Sequence, residues 1–206
     1  MEIFILKKEI KITVIGITGK TGCGKSCAAG YLKENLSKSL VLDADLLAKE
    51  IYKNNNTIVG KVSVAFGKEV LKTDGSIDFL KLGRIVFGDS NQMKKLNNLM
   101  FPLITESAAE FIKNNSDKKY IIMDAAILFD AGLDSFCDKI IYLTANTEKR
   151  EKFLKCKNLD LCIEDIRQRI FNQKINVNMN KVDFIIENDS SLEALYKNID
   201  FVIKKL

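Results

Sequence analysis

The segment Gly19-Lys20-Thr21-Gly22-Cys23-Gly24-Lys25-Ser26 follows an apolar run, Ile12–Ile17, and leads into a stretch of helical character, Lys25–Ser37. The spacing G-x-x-x-x-G-K-S constrains the chain severely. It demands a buried strand that ends in a glycine-rich turn and opens at once into a helix. Gly22 and Gly24 let the backbone turn so that successive N–H groups point inward. Those donors and the helix N-terminus make a cradle for phosphate oxygens. Lys25 brings charge to the outer phosphates, and the Ser26 hydroxyl is a ligand for Mg2+. A chance glycine-rich turn would not have strand, helix and Lys-Ser in register. The loop predicts a nucleoside triphosphate site and leaves the reaction open.

The rest of the chain alternates short apolar runs with helical stretches. Leu40–Leu42, Tyr120–Met123, Lys139–Leu143 and Phe184–Ile186 read as strands. Leu46–Asn54, Thr147–Lys155, Ile163–Phe171 and Leu192–Lys204 read as helices. This alternation predicts an α/β fold with a parallel sheet covered on both faces. Between the second and third strands lie about 75 mostly helical residues, too many for a simple crossover. They read as an inserted helical subdomain. Residues 146–178, polar and rich in Lys and Arg, form a second insertion placed to close over a ligand as a lid. The expected layout is one domain: a core of 10–45, 118–145 and 179–206, a helical insertion at 46–117, and a lid at 146–178.

Composition narrows the function. A length of 206 residues fits one domain, and 47% hydrophobic residues suffice for a packed core. The net charge of +5, with no long basic block, suits a polyanionic small molecule and is too weak to argue for nucleic acid. The five cysteines are odd in number and contain no C-x-x-C, and the chain has no histidine. That pattern argues against a disulfide framework, a zinc site or a histidine-based triad. The longest apolar runs fall far short of a membrane span, and Met1–Lys11 does not read as a signal peptide. A cytoplasmic location is the expectation.

Two carboxylates, Asp43 and Asp45, follow the second strand, and Asp124 ends the third. Ligands of parallel sheets sit at the C-terminal strand ends, which places all of them near the phosphate loop. A kinase uses such groups to direct the acceptor hydroxyl or to hold Mg2+ through water. Asp45, next to a helix beginning near Leu46, is also expected to cap it. Asp124 after an apolar strand has the form of a Walker B carboxylate, which would act on Mg2+ through water. Asn180-Lys181-Val182-Asp183 matches the guanine-reading N-K-x-D of GTPases. Here, however, the apolar strand follows the motif instead of preceding it, and no D-x-x-G is present. Asp183 is therefore read as a polar residue at the mouth of the last strand.

From Ile12 to about Ile203 the chain resembles the dephospho-CoA kinase family. The markers are Gly16-Ile17-Thr18-Gly19 running into the phosphate loop, Asp43-Ala44-Asp45-Leu46-Leu47-Ala48, Phe66-Gly67, Asp74-Gly75 and Pro102-Leu103-Ile104. Ile85-Val86-Phe87, Asp124 through Gly132, Arg169 with Gln173, and Asp183 through Asn188 complete them. The resemblance implies a P-loop kinase with an ATP-binding core, a helical subdomain for the acceptor coenzyme, and a lid. It implies ATP with Mg2+, and phosphorylation of the ribose 3′-hydroxyl of dephospho-CoA. By position it makes Asp45 the catalytic base, with Thr18 and Lys25 on the phosphate side. Gly22, Cys23, Gly24, Lys25, Ser26 and Cys27 match its ATP loop. The lid cation falls near Lys157, with Lys155 as the alternative, and Arg169 is a second lid residue.

Some positions depart from the family pattern. Cys27 stands where Thr is usual, Phe79 where Arg is, Phe101 where His is, and Asp130 where Glu is; Ala126-Ile127-Leu128 replaces Pro-Leu-Leu. Cys23 and Cys27 read as small residues that fit their places. Two alternatives stay open: a P-loop kinase for nucleosides, nucleotides or another small molecule, and a degenerate homologue that binds nucleotide as a regulator. The D-A-D stretch and the long insertion argue against the first. The Phe79 and Phe101 replacements are the only support for the second. Neither nucleic acid nor membrane is an expected partner, and oligomeric state is not legible.

Overall fold

Strands covered on both faces read as unbroken apolar runs, and the computed structural model has five of them in one parallel sheet. It describes residues 11–157, 163–173 and 175–206, without the side chains of Lys157, Asp165, Arg169 and Asn172. The strands β1 (Thr13–Gly19), β2 (Ser39–Asp43), β3 (Tyr120–Asp124), β4 (Lys139–Thr144) and β5 (Phe184–Glu187) lie in the order β2-β3-β1-β4-β5. Ile15, Ile17, Ile121, Ile122, Ile141 and Leu143 of the inner strands are fully buried.

Two cores sandwich the sheet. On one face α1 (Lys25–Asn35) and α8 (Leu192–Ile203) press Ala28, Leu32, Leu195 and Ile199 onto Ile15, Ile17, Ile122 and Ile141. The other face carries α2 (Ala44–Asn54), α3 (Asn56–Phe66), α4 (Phe79–Val86) and α5 (Ser90–Asn114). These contribute Ile51, Val62, Leu82 and Ile104 to a core with Val14, Leu42, Ile121 and Met123. The helical block expected between the second and third strands is thus the second outer layer. Between β4 and β5 stand α6 (Thr147–Lys157) and α7 (Ile163–Asn172), which share a small core of Leu154, Ile166 and Ile170.

Side-chain caps supply the punctuation that a chain with one proline lacks. Asn55, Asp78, Asp89 and Ser191 each accept a backbone N–H at the start of α3, α4, α5 and α8. Pro102 lies inside α5 and ends no element. The observed strands and helices match the expected ones to within a few residues. Residues 1–10 and Cys162, on which the sequence also bears, lie outside the described residues. Among the described residues no helix is long and apolar enough to cross a membrane.

Ile122 is fully buried against α1 and α8. Ile122→Ala should lower the unfolding free energy by roughly 2–5 kcal/mol, read from urea denaturation, because the surrounding sheet cannot collapse onto the void.

Candidate active site

The phosphate loop connects β1 to α1, and its glycines are dictated by both turn and neighbours. Gly22 and Gly24 have φ of 79° and 101°, in the left-handed region. A Cβ on Gly24 would stand 2.5 Å from Asn188 Nδ2, and one on Gly22 2.9 Å from the Arg150 carbonyl oxygen. Asn188 is buried behind the loop and donates Nδ2 to the Cys23 carbonyl at 3.0 Å. Lys149 Nζ in turn donates to Asn188 Oδ1 at 2.8 Å, which fixes the orientation of the amide. The Cys23 thiol is fully buried, and burial pushes its pKa up. A thiol held protonated this way is a space-filling group, in keeping with the sequence reading.

Parallel register brings the carboxylates to the loop. Asp124 pairs across the sheet with Ile17 of β1 on one side and Asp43 of β2 on the other. Ser26 Oγ donates to Asp124 Oδ2 at 2.8 Å. Burial raises the Asp124 pKa, while the charge of Lys25 and the Ser26 hydrogen bond pull against that rise. The cap expected of Asp45 belongs instead to Asp43. The helix begins at Ala44, two residues earlier than expected. Asp43 Oδ1 therefore accepts both Asp45 N at 2.8 Å and Leu46 N at 3.0 Å. Asp45 is left in the first turn, with its carboxylate outside the cap. Lys25, Ser26, Asp43, Asp45 and Asp124 line one cavity, with Phe153 and Leu154 of α6 on its far wall.

The ligands offered by Ser26, Asp43, Asp45 and Asp124 are all oxygens, which suits a hard cation such as Mg2+. Among the described residues no group of three or more carboxylate or thiol ligands forms a cage. Mg2+ keeps several waters and takes substrate phosphates, so one or two protein oxygens suffice. Ser26 and Asp124 fit that requirement.

Sequence reasoning missed Arg150. This residue of α6 is 4% exposed, its Nε donates to the Thr21 carbonyl at 2.8 Å, and its Nη2 is buried with no partner among the described residues. Burial lowers its pKa, yet a guanidinium stays charged. The family spacing, counted from Lys149-Arg150, points forward to Lys155 and Lys157 and not to Arg150 itself. The available signal was topological: β4 lies beside β1, so the first turn after β4 must face the phosphate loop. Lys155 is exposed, while the side chains of Lys157 and Arg169, on α6 and α7, lie outside the described residues.

Thr18 is fully buried on β1 and does not line the cavity; its hydroxyl has no hydrogen-bond partner among the described residues. Phe79, at the start of α4, is 46% exposed and meets Tyr52 edge to face at 5.4 Å. Neither Phe79 nor Phe101 lines the cavity. Asp183 accepts Ile140 N at 2.9 Å and pairs with Lys139 at 2.7 Å, tying the start of β5 to the start of β4. That is the sheet edge opposite the phosphate loop, so the N-K-x-D match is structural.

The raised pKa of Asp124 makes its charge a cost to the ligand-free fold. A carboxyl whose folded pKa is raised contributes most below its unfolded pKa and loses that contribution as pH rises through the folded value. Asp124→Asn should therefore raise Tm at neutral pH. The gain should shrink as the pH falls toward the ordinary carboxylate range, in thermal melts taken across that interval.

The dephospho-CoA kinase family model matches residues 13–194. A dephospho-CoA kinase of Fusobacterium nucleatum is 33% identical over 198 residues, 93% of this chain and 97% of that protein. The Aquifex aeolicus dephospho-CoA kinase is 32% identical, over 93% and 96% of the two chains. Among solved structures, one from Thermus thermophilus superposes with a TM-score of 0.73 at 25% identity, covering 95% of this chain and 98% of that one. The dephospho-CoA kinase of Campylobacter jejuni gives 0.61 at 24% identity over 93% and 96%, a likeness of fold. With the phosphate loop, the carboxylates and the parallel sheet in the arrangement described, this chain belongs to the dephospho-CoA kinase family.

Proposed function

We propose that the chain transfers the γ-phosphoryl group of ATP to the ribose 3′-hydroxyl of dephospho-CoA, giving coenzyme A and ADP. The observation that carries this reading is the division of labour between Asp43 and Asp45. Asp43 holds the helix start, and Asp45 keeps its carboxylate for the cavity that contains Lys25 and Ser26. The acceptor hydroxyl would approach Asp45, which directs or accepts its proton as the O–P bond forms. Lys25 and the loop amides from Gly22 to Cys27 would hold the phosphates of ATP. Ser26, with Asp124 acting through water, would hold Mg2+, which would supply positive charge to the outer phosphates.

Residues 46–117 would take the acceptor, and residues 146–178 would act as the lid. Arg150 supports the lid role: a buried cation with an unpartnered N–H at the loop is satisfied by an anion. Lys157 and Arg169 remain candidates for further lid contacts. A lid that excludes water protects the phosphoryl group from hydrolysis. The cytoplasm is the proposed location, where ATP and the acceptor meet.

The direct test is ADP release with ATP and Mg2+, with and without dephospho-CoA. Stimulation by dephospho-CoA, with a product one phosphate heavier, is the expected result. Nucleotide binding without transfer to this acceptor would overturn the assignment. Asp45→Asn should lower kcat by about 10²–10⁴-fold, the range for a lost general base, with ATP affinity nearly unchanged. An unaltered kcat would leave Asp45 without a catalytic role.

A further inference from the structure

The α6–α7 arm grips the phosphate loop from both of its ends, and both grips fall on Thr21. From the entry side, Arg150 Nε donates to the Thr21 carbonyl at 2.8 Å. From the exit side, just past α7, Gln173 Oε1 accepts the Thr21 N–H at 2.6 Å. Three residues further on, Asn176 is fastened to the core. Its backbone N–H and its side-chain amide both donate to Asp130, in the loop after β3. The exit of the arm is thus pinned at two points, one on the nucleotide-binding loop and one on the loop after β3.

The peptide N–H of Thr21 orients the Lys20–Thr21 plane, and its carbonyl orients the Thr21–Gly22 plane. Both planes are set by the arm. The next residue, Gly22, is in the left-handed region with the Arg150 backbone pressed against it, so it has little freedom to absorb a shift. A loop that works through aligned N–H donors needs its peptide planes held. Arm docking and loop geometry are then one linked equilibrium. Whatever binds the loop biases the arm, and the arm biases the affinity of the loop by the same factor.

We propose that Gln173 is a positioning residue that couples docking of the α6–α7 arm to nucleotide binding through its bond to Thr21. This rests on the reading of residues 146–178 as a lid over an ATP site.

The test is limited tryptic cleavage of the arm, where Lys152, Lys155 and Arg167 are exposed, with and without Mg2+ and the non-hydrolysable analogue AMP-PNP. AMP-PNP binding is measured separately by calorimetry. In the wild type, bound AMP-PNP should slow cleavage about fivefold or more, the lower range of allosteric coupling. In Gln173→Met, which keeps the length and lacks the acceptor oxygen, protection should fall close to unity, and AMP-PNP affinity should weaken by a matching factor. Gln173→Glu, which retains an acceptor oxygen, should recover part of the protection. Wild-type protection in the Met variant, or its loss in both variants alike, would overturn the coupling role. Absence of AMP-PNP binding to the wild type would instead sink the ATP site on which the role rests.

Discussion

The site depends on the register of β3 between β1 and β2. A shift of one residue along either ladder would reverse the side-chain faces of that strand and move Asp124 or Asp43 out of the cavity. With Ile17 and Asp43 both opposite Asp124, the loop after β1, the helix start after β2 and the carboxylate ending β3 reach one edge together. That register is enforced by the interior. Ile15 and Ile17 must face α1 and α8, while Val14 faces the helical block, and both sets are buried. Two apolar cores with opposite demands on alternate residues leave the polar tips of the strands no choice of position.

The edge so built carries buried polar groups with few partners among the described residues. Asp124 is buried and holds a single hydroxyl bond from Ser26; Arg150 has an unpartnered N–H; Thr18 has an unpartnered hydroxyl. Buried polar groups of this kind cost stability. Asp124 lines the cavity, Arg150 bonds the phosphate loop at Thr21, and Thr18 is buried on β1, so the two charges are not paired with each other. A ligand that bears both metal and phosphate matches that pattern, because it offers each sign of charge where the protein lacks it. The fold holds these groups in place through the surrounding register and caps.

Much of this was legible in the sequence for a physical reason. Apolar periodicity fixes strands buried on both faces, and the phosphate loop has no other local solution, so the fold class and Gly22 through Ser26 could be read directly. Asp124 followed from its place at a strand end. The cap was misassigned because helix starts are decided by backbone geometry over one or two residues. An Asp-Ala-Asp stretch offers two acceptors for the same amides, and only the structure separates them. Arg150 was missed because its meaning comes from sheet order: β4 lies beside β1 despite about 120 intervening residues. Gln173 stands among the resemblance markers with Arg169, but its contact with Thr21, 152 residues away, and that of Asn176 with Asp130 are ones that no local pattern encodes.

The small core of α6 and α7 is separate from the two sheet cores. Leu154, Ile166 and Ile170 give the arm an interior of its own, so its local opening can have a free energy well below that of global unfolding. Thermal adaptation could then proceed on two tracks. Changes in the sheet cores would set the temperature at which the chain unfolds, while changes within the arm would set the temperature range over which it opens and closes. A chain of this design can be tuned for a cold or a warm habitat at the arm alone, with the sheet left as it is.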